Sequence, residues 1–168
     1  MNRFSILYLL VLPFLGCRYD SDQSAQSPKI YFTGLSKFDT NGAPTAQGDP
    51  TDGRLDDVWV QQESDLFASN SSSLCSNLDS MSVLIFPNPC KDKLIFTFTN
   101  QSGVAWHFRI VDENFTLLKG ADFLDPVPLN NYIEFNTTDF PADTVRLYYQ
   151  AEKAGCAWRG HGDILVEK

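Results

Sequence analysis

Basic residues are scarce in this sequence, and their scarcity excludes one class of partner. The chain of 168 residues has 13 Lys and Arg against 21 Asp and Glu, which gives a formal net charge of −8. Nucleic-acid binding depends on neutralising phosphates with Lys and Arg. We therefore expect no nucleic-acid partner and no attraction of a basic face to anionic lipid.

Long apolar runs and helical periodicity are also missing. The main apolar run, residues 4–14, is shorter than the roughly 20 residues that cross a bilayer as a helix. No long stretch repeats apolar residues at helical spacing, which argues against a parallel sheet with crossover helices. The chain is instead rich in aromatic residues, with 13 Phe, 6 Tyr and 3 Trp, and these favour strands.

A basic start followed by a short apolar run is typical of a cleaved secretory signal. This run ends in Phe14-Leu15-Gly16-Cys17, which resembles the lipobox of bacterial lipoproteins. The resemblance implies a signal peptide over residues 1–16 and a palmitate-bearing Cys17 that anchors the chain in a membrane. The expected location is the cell envelope, as an outer-membrane lipoprotein that is periplasmic or surface-exposed. The alternative is an ordinary signal peptide that contains a cysteine.

Three regions follow the predicted signal peptide. Residues 17–28 are polar and predict a flexible tether. Residues 29–82 form a loop-rich acidic segment that packs on the main domain or leads into it; within it we expect a strand over 29–33 and a short irregular helix or an aromatic latch over 55–67.

Residues 83–168 predict the main domain. Short apolar or alternating runs recur there with turn residues between them, at residues 83–86, 94–99, 105–111, 115–118, 132–135, 145–150 and 164–166. About seven short strands at this spacing are typical of an all-β, antiparallel β-sandwich.

One motif in this domain is similar to a known family. The turn Phe86-Pro87-Asn88-Pro89 and the strands after it resemble the C-terminal sorting domains of type IX secretion cargo in Bacteroidota. The resemblance covers about half of the chain and implies an antiparallel β-sandwich. A lipobox does not suit secreted cargo, so we transfer the fold and not the export role. The whole chain is similar to small lipoproteins of that phylum.

Three cysteines remain after Cys17: Cys75, Cys90 and Cys156. An exported protein can form disulfides, and one bridge with one free thiol is the simplest expectation. We expect Cys90 in the bridge because it adjoins the rigid Pro-Asn-Pro turn. The alternative is that all three thiols are free.

Residues 49–57 concentrate four carboxylates, Asp49, Asp52, Asp56 and Asp57, around a glycine. Calcium prefers several oxygen ligands on a flexible loop, so these four residues are a possible calcium site and calcium the one possible cofactor. The spacing does not fit an EF-hand loop. The alternative is a solvated acidic turn.

Gly160-His161-Gly162-Asp163 suggests a second candidate site. His161 as a base and Asp163 as its orienting group would suit a small hydrolase, and His107 could join them in a metal site. Glycines on both sides of a histidine more often mark a hairpin turn or a bulge.

The aromatic residues offer a third candidate, a glycan-binding platform centred on Trp158 and Tyr148, although aromatic side chains usually lie in the core. With no catalytic set evident, the sequence favours a non-enzymatic envelope lipoprotein whose β-sandwich mediates binding or assembly. Its expected partners are the membrane, through the lipid anchor, and an envelope protein or glycan.

Overall fold

The computed structural model describes residues 28–46, 48–56, 58–68, 73–75, 83–99, 103–124 and 130–168. The predicted signal peptide, Cys17 and nearly all of the tether lie outside these ranges. The elements are β1 (Lys37–Phe38), β2 (Pro44–Ala46), β3 (Arg54–Leu55), α1 (Gln61–Ser64), β4 (Ser73–Leu74), β5 (Val83–Phe86), β6 (Lys93–Thr99), β7 (Ala105–Val111), β8 (Leu117–Phe123), β9 (Asn130–Asn136), β10 (Thr144–Lys153) and β11 (Cys156–Leu165).

Two sheets face each other. The larger has the strand order β3-β11-β10-β7-β8, with β4 pairing β11 as well, and the smaller has the order β5-β6-β9. Their strands pair antiparallel except for the short β4–β11 ladder. The all-β, antiparallel sandwich is confirmed, and seven strands, β5–β11, fall within residues 83–168. Among the described residues, no helix is long and apolar enough to span a membrane.

The core lies between the sheets and is strongly aromatic. Alternation along β7 turns Trp106 and Phe108 inward, where both are buried. Phe96 and Phe98 of β6 meet them, with the ring centroids of Phe96 and Phe108 4.8 Å apart and those of Phe98 and Trp106 4.8 Å apart. Such offset and edge contacts add to the free energy gained by burying the rings.

A second apolar cluster covers the outer face of the larger sheet. Ile30 and Phe67 are buried there against Val111 and Tyr148, and Trp59 packs beside them. We call residues 58–68 the latch, because α1 occupies only four of them and the remainder lies over the sheet. Of the two alternatives for residues 55–67, the aromatic latch describes most of the segment.

Two local predictions are wrong. Residues 29–33 form no strand; the backbone N–H of Ile30 instead donates to the carbonyl of Glu113 at 2.8 Å. Gly160 and Gly162 are not a turn but lie in the middle of β11, and the hairpin turns at Ala154 and Gly155.

Close packing explains why β11 carries these glycines. A Cβ atom on Gly160 would lie 2.3 Å from the phenol oxygen of Tyr149, and one on Gly162 would lie 2.4 Å from Cδ1 of Ile85. Glycine within a strand is typical of such close approach. The two glycines therefore serve the packing of Tyr149 and Ile85.

Asn88, in the Pro-Asn-Pro turn, is buried and fully hydrogen-bonded. Its backbone N–H and C=O pair with Phe38 at 2.9 Å each. Its side-chain amide donates to the carbonyls of Ser36 at 2.8 Å and Asp163 at 2.7 Å and accepts from the N–H of Leu165 at 2.9 Å. The turn thus joins the N-terminal segment to the end of β11.

The disulfide joins Cys75 to Cys156, at a sequence separation of 81 residues, and Cys90 is a buried free thiol. The expectation that Cys90 forms the bridge is wrong. Rigidity of the neighbouring turn did not decide the pairing; β4 lies beside β11, and this places Cys75 next to Cys156.

Replacing Cys75 and Cys156 together by Ser should lower the free energy of unfolding by about 2–5 kcal/mol, because the bridge restricts a long loop in the unfolded chain. Urea unfolding measures the loss, and peptide mapping without reductant should find the 75–156 cross-link in the wild type. Cys90→Ala is the control and should keep that cross-link. A cross-linked peptide containing Cys90 would contradict the assignment.

Candidate functional site

Charged and polar side chains form a row on the outer face of the larger sheet. In the β10–β11 ladder, Arg146 lies opposite Asp163 and Tyr148 lies opposite His161. Successive strand residues point to opposite faces, so these four side chains, including those of His161 and Asp163, share one face. The latch and the segment before it cover this row.

Arg146 and Asp163 form a buried, bidentate ion pair. Nε and Nη2 of Arg146 donate to the two carboxylate oxygens at 2.6 and 2.8 Å, and the side chain of Asp163 is 0% exposed. Burial raises the pKa of Asp163, which the charge of Arg146 opposes. Burial also acts to lower the pKa of Arg146, but its hydrogen bonds to Asp163 outweigh burial and raise it. Each charge is thus held by the other.

Two further residues extend this pair. The guanidinium of Arg146 lies 5.5 Å from the ring centroid of Phe32 and 6.0 Å from that of Tyr148, within the range of cation–π attraction. The Tyr148 hydroxyl donates to Glu63 of α1 at 2.8 Å. Burial and the neighbouring Glu63 charge raise the pKa of Tyr148, so the phenol remains a donor to the latch.

His161 is held by Asp56, with Nδ1 2.8 Å from the carboxylate oxygen Oδ2. The same carboxylate oxygen accepts the indole N–H of Trp59 at 2.9 Å. Burial acts to lower the pKa of His161, but the hydrogen bond and charge of Asp56 outweigh burial, and the pKa is raised. The protonated imidazole therefore strengthens the attachment of the segment that precedes the latch.

The catalytic hypothesis, in which Asp163 orients His161, is wrong about this pair. Asp163 is committed to Arg146, and Asp56 orients His161. The hydroxyl oxygen of Thr51, Oγ1, is 3.5 Å from Nε2 of His161, and this hydroxyl donates to Asp49 at 2.5 Å. The contact therefore lacks the short hydroxyl–imidazole hydrogen bond of an activated nucleophile.

His107 lies apart from His161. Its Nδ1 is 2.8 Å from Asp122, which also accepts from Arg109 at 2.8 Å. His107 and Arg109 thus share one face of β7, and the two histidines have separate carboxylate partners. The described residues contain no group of three or more His, Cys, Asp or Glu side chains placed to hold a metal ion.

The described carboxylates of the proposed calcium site each accept different protein donors. Asp49 accepts from the hydroxyls of Thr33 and Thr51 at 2.5 Å each, and these hydrogen bonds lower its pKa to about 2. Asp52 accepts the backbone N–H groups of Ser36 at 3.0 Å and Asp163 at 2.9 Å.

Asp56 is hydrogen-bonded to His161 and Trp59, as described above, and Asp57 lies outside the described residues. Each of the three described carboxylates therefore forms hydrogen bonds with different groups of the protein.

The glycan platform of Trp158 and Tyr148 is wrong. Tyr148 is 0% exposed in the outer cluster, and Trp158 is 5% exposed in the core between the sheets. The two rings therefore lie on opposite faces of the sheet and neither is available as a surface platform.

Sequence reasoning missed Arg146, Asn88 and Glu63 as members of this network. One signal was available for Arg146, because a lone charge within the apolar strand Val145–Tyr149 indicates a partner on the same face. The partners of Asn88 and Glu63 depend on the tertiary arrangement, which local sequence does not contain.

Asp163→Asn should lower the free energy of unfolding by about 3–5 kcal/mol, because it leaves Arg146 buried without its counter-charge. The double variant Arg146→Met/Asp163→Leu should cost less than Asp163→Asn alone. Urea unfolding measures both. Glu134→Gln, in the exposed pair with Lys93, is the control and should cost less than about 1 kcal/mol. An Asp163→Asn loss no larger than that of Glu134→Gln would refute this account.

The raised pKa of His161 makes stability depend on pH. Its contribution is fully present below the unfolded value of 6.5 and is lost as pH rises through the higher folded value. When stability is measured by urea unfolding between pH 5.5 and 8.5, His161→Gln should no longer lose this stability as pH rises. His107→Gln, which changes the other histidine, should still lose it. An unchanged pH dependence in His161→Gln would contradict the prediction.

Comparison with known proteins gives the chain no relatives. No protein-family model matches it, no curated protein matches it, and no solved structure matches it.

Proposed function

We propose that this protein is a membrane-anchored lipoprotein of the cell envelope whose β-sandwich binds or assembles with a partner and performs no catalysis. Cys17 carries the acyl chains, including palmitate, and residues 17–28 tether the domain to the bilayer. The domain is periplasmic or surface-exposed, and its partner is an envelope protein or a glycan rather than nucleic acid.

The observation that carries the proposal is the internal pairing of the acid–base side chains. Asp163 holds Arg146 and Asp56 holds His161, and both pairs lie under the N-terminal segment. Groups bound in this way contribute to rigidity, whereas a general base must reach the substrate proton that it removes. This arrangement favours a rigid binding scaffold over a hydrolase.

The Cys75–Cys156 disulfide supports the proposed location. Disulfides persist in oxidising compartments such as the periplasm and the cell surface. Two or more acyl chains hold a protein stably on a bilayer, since each buried methylene contributes about 0.8 kcal/mol. An anchor of this kind needs no basic surface, which agrees with the net charge of −8.

Cys17→Ser tests the anchor. The wild-type chain, produced in a bacterium with lipoprotein processing, should partition into the detergent phase of a Triton X-114 extract, because acylation adds tens of buried methylenes. Cys17→Ser should move to the aqueous phase, and intact mass should lose the acyl increment. Cys90→Ala is the control and should partition like the wild type. Equal detergent partitioning of Cys17→Ser and the wild type would refute the anchor.

A further inference from the structure

The edge strands of the two sheets differ in how they are protected from pairing with another chain. These strands are β3 and β8 in the larger sheet and β5 and β9 in the smaller. An edge strand offers unpaired backbone N–H and C=O groups to another strand, and native proteins protect it by keeping it short, by a bulge or by lysine. An edge strand without such protection is therefore a candidate interface.

Three of the four edge strands carry protection of this kind. The strand β3 has two residues, and β5 has four, with Phe38 of β1 paired to Asn88 just beyond its end. The strand β8 has seven residues, but its register with β7 shifts between Ile110 and Val111, and it carries Lys119. These three strands are poor templates for a further strand.

The strand β9 is long, regular and unprotected. Its seven residues pair with β6 position by position, from Asn130 opposite Thr99 to Asn136 opposite Lys93. Its sequence contains no Gly, Pro, Lys or Arg, and its one charge, Glu134, is bound by Lys93 at 3.4 Å. Among the described residues β9 pairs only with β6, so its other edge can accept a strand.

Apolar side chains are incompletely covered on this side of the sandwich. Ile85 of β5 lies under β11 and Phe96 of β6 lies under β7, so β9, the next strand, lies on the side of β8. Four core-facing residues of β8 and β9 are only partly buried there: Leu118, Ala121, Phe123 and Ile133. A strand added to β9 would remove more of this apolar surface from water.

The strand β9 is complementary to a second copy of itself. Two antiparallel copies related by a two-fold axis pair at all seven positions when Ile133 lies opposite its own counterpart. Tyr132 then lies opposite Glu134 of the second copy. Its phenol hydroxyl can donate to that carboxylate, and the symmetry supplies this pair twice. A register centred on Glu134 is disfavoured, because it places two like charges opposite each other.

Both members of this pair are available on the surface. Tyr132 and Glu134 lie opposite Thr97 and Ile95 of β6, on the outer face of the smaller sheet, whereas Phe96 between those two residues lies in the core. Tyr132 is 73% exposed, and the side chain of Glu134 is 51% exposed. The two residues can therefore contact a second copy without any rearrangement of the core.

We propose that two copies of this chain pair through antiparallel β9 strands and join their smaller sheets into one continuous sheet. The inference rests on the proposed assembly function and names the partner as a second copy. A membrane anchor supports it, because chains held on one surface meet at a raised effective concentration.

Sedimentation equilibrium of the purified full chain in density-matched detergent tests the dimer, and the wild type should have twice the mass of one chain. Tyr132→Glu places two carboxylates opposite each other in both pairs and should raise the dissociation constant at least about tenfold. Adding Glu134→Lys to Tyr132→Glu restores opposite charges and should restore the dimer. Leu117→Glu is the matched control, because Leu117 is 54% exposed on β8, and it should dimerise like the wild type.

Cross-linking tests the register. Ile133→Cys, made together with Cys90→Ala, should form an intermolecular disulfide on mild oxidation, because directly opposite Cβ atoms are about 4.5–5.5 Å apart. Leu117→Cys in the same Cys90→Ala chain is the control and should cross-link far less. A wild type that stays monomeric at every concentration, or a dimer that Tyr132→Glu leaves unchanged, would overturn the proposal. Equal cross-linking of the two cysteine variants, or no rescue by Glu134→Lys, would overturn the register.

These measurements separate the dimer from the proposed anchor. Pairing through β9 does not involve Cys17, so a chain that dimerises but fails to partition into detergent keeps the β9 interface and loses only the anchor. A chain that partitions into detergent but stays monomeric loses only the β9 interface.

Discussion

The buried carboxylate of Asp163 is the constraint on which much of the structure depends. A fully buried charge is tolerated only when it is paired and hydrogen-bonded, and Arg146 supplies both conditions. The backbone of the same residue is also occupied, since its N–H donates to Asp52 and its carbonyl accepts from Asn88. Asp52 and Asn88 both bind Ser36 in turn. The course of the N-terminal segment therefore follows from satisfying one residue near the end of β11.

The latch is attached by the same combination of polar and aromatic contacts. Glu63 accepts the Tyr148 hydroxyl through one carboxylate oxygen and the backbone N–H of Val60 through the other. Trp59 stacks on Phe67, with centroids 5.2 Å apart, and meets Tyr148 edge-on at 5.5 Å. Acidic side chains thus fix loops by accepting backbone and side-chain donors, which explains how a loop-rich, acidic segment packs firmly on a sheet.

Strands were predicted well where apolar and polar residues alternate without interruption. They were predicted poorly where close packing requires a glycine within the strand. Residues 105–111 alternate cleanly and form β7 as expected. The strand β11 was largely missed, because Gly160 and Gly162 indicate a turn when read locally. They are glycines because Tyr149 and Ile85 occupy the space of their side chains. Those neighbours lie on other strands, so no local pattern could have identified them.

The alternation of side chains along β10 places the charged row and the aromatic core on opposite faces of the larger sheet. Arg146 and Tyr148 face the latch, whereas Tyr149 and Ala151 face the core. This alternation also explains why the predicted glycan platform is wrong. Tyr148 and Trp158 are both aromatic, but their side chains point to opposite faces of the sheet. A slip of one residue would turn Arg146 into the core and Ala151 out of it. The ion pair with Asp163 opposes such a slip, so the same interaction that fixes the N-terminal segment also keeps Tyr149 and Ala151 in the core.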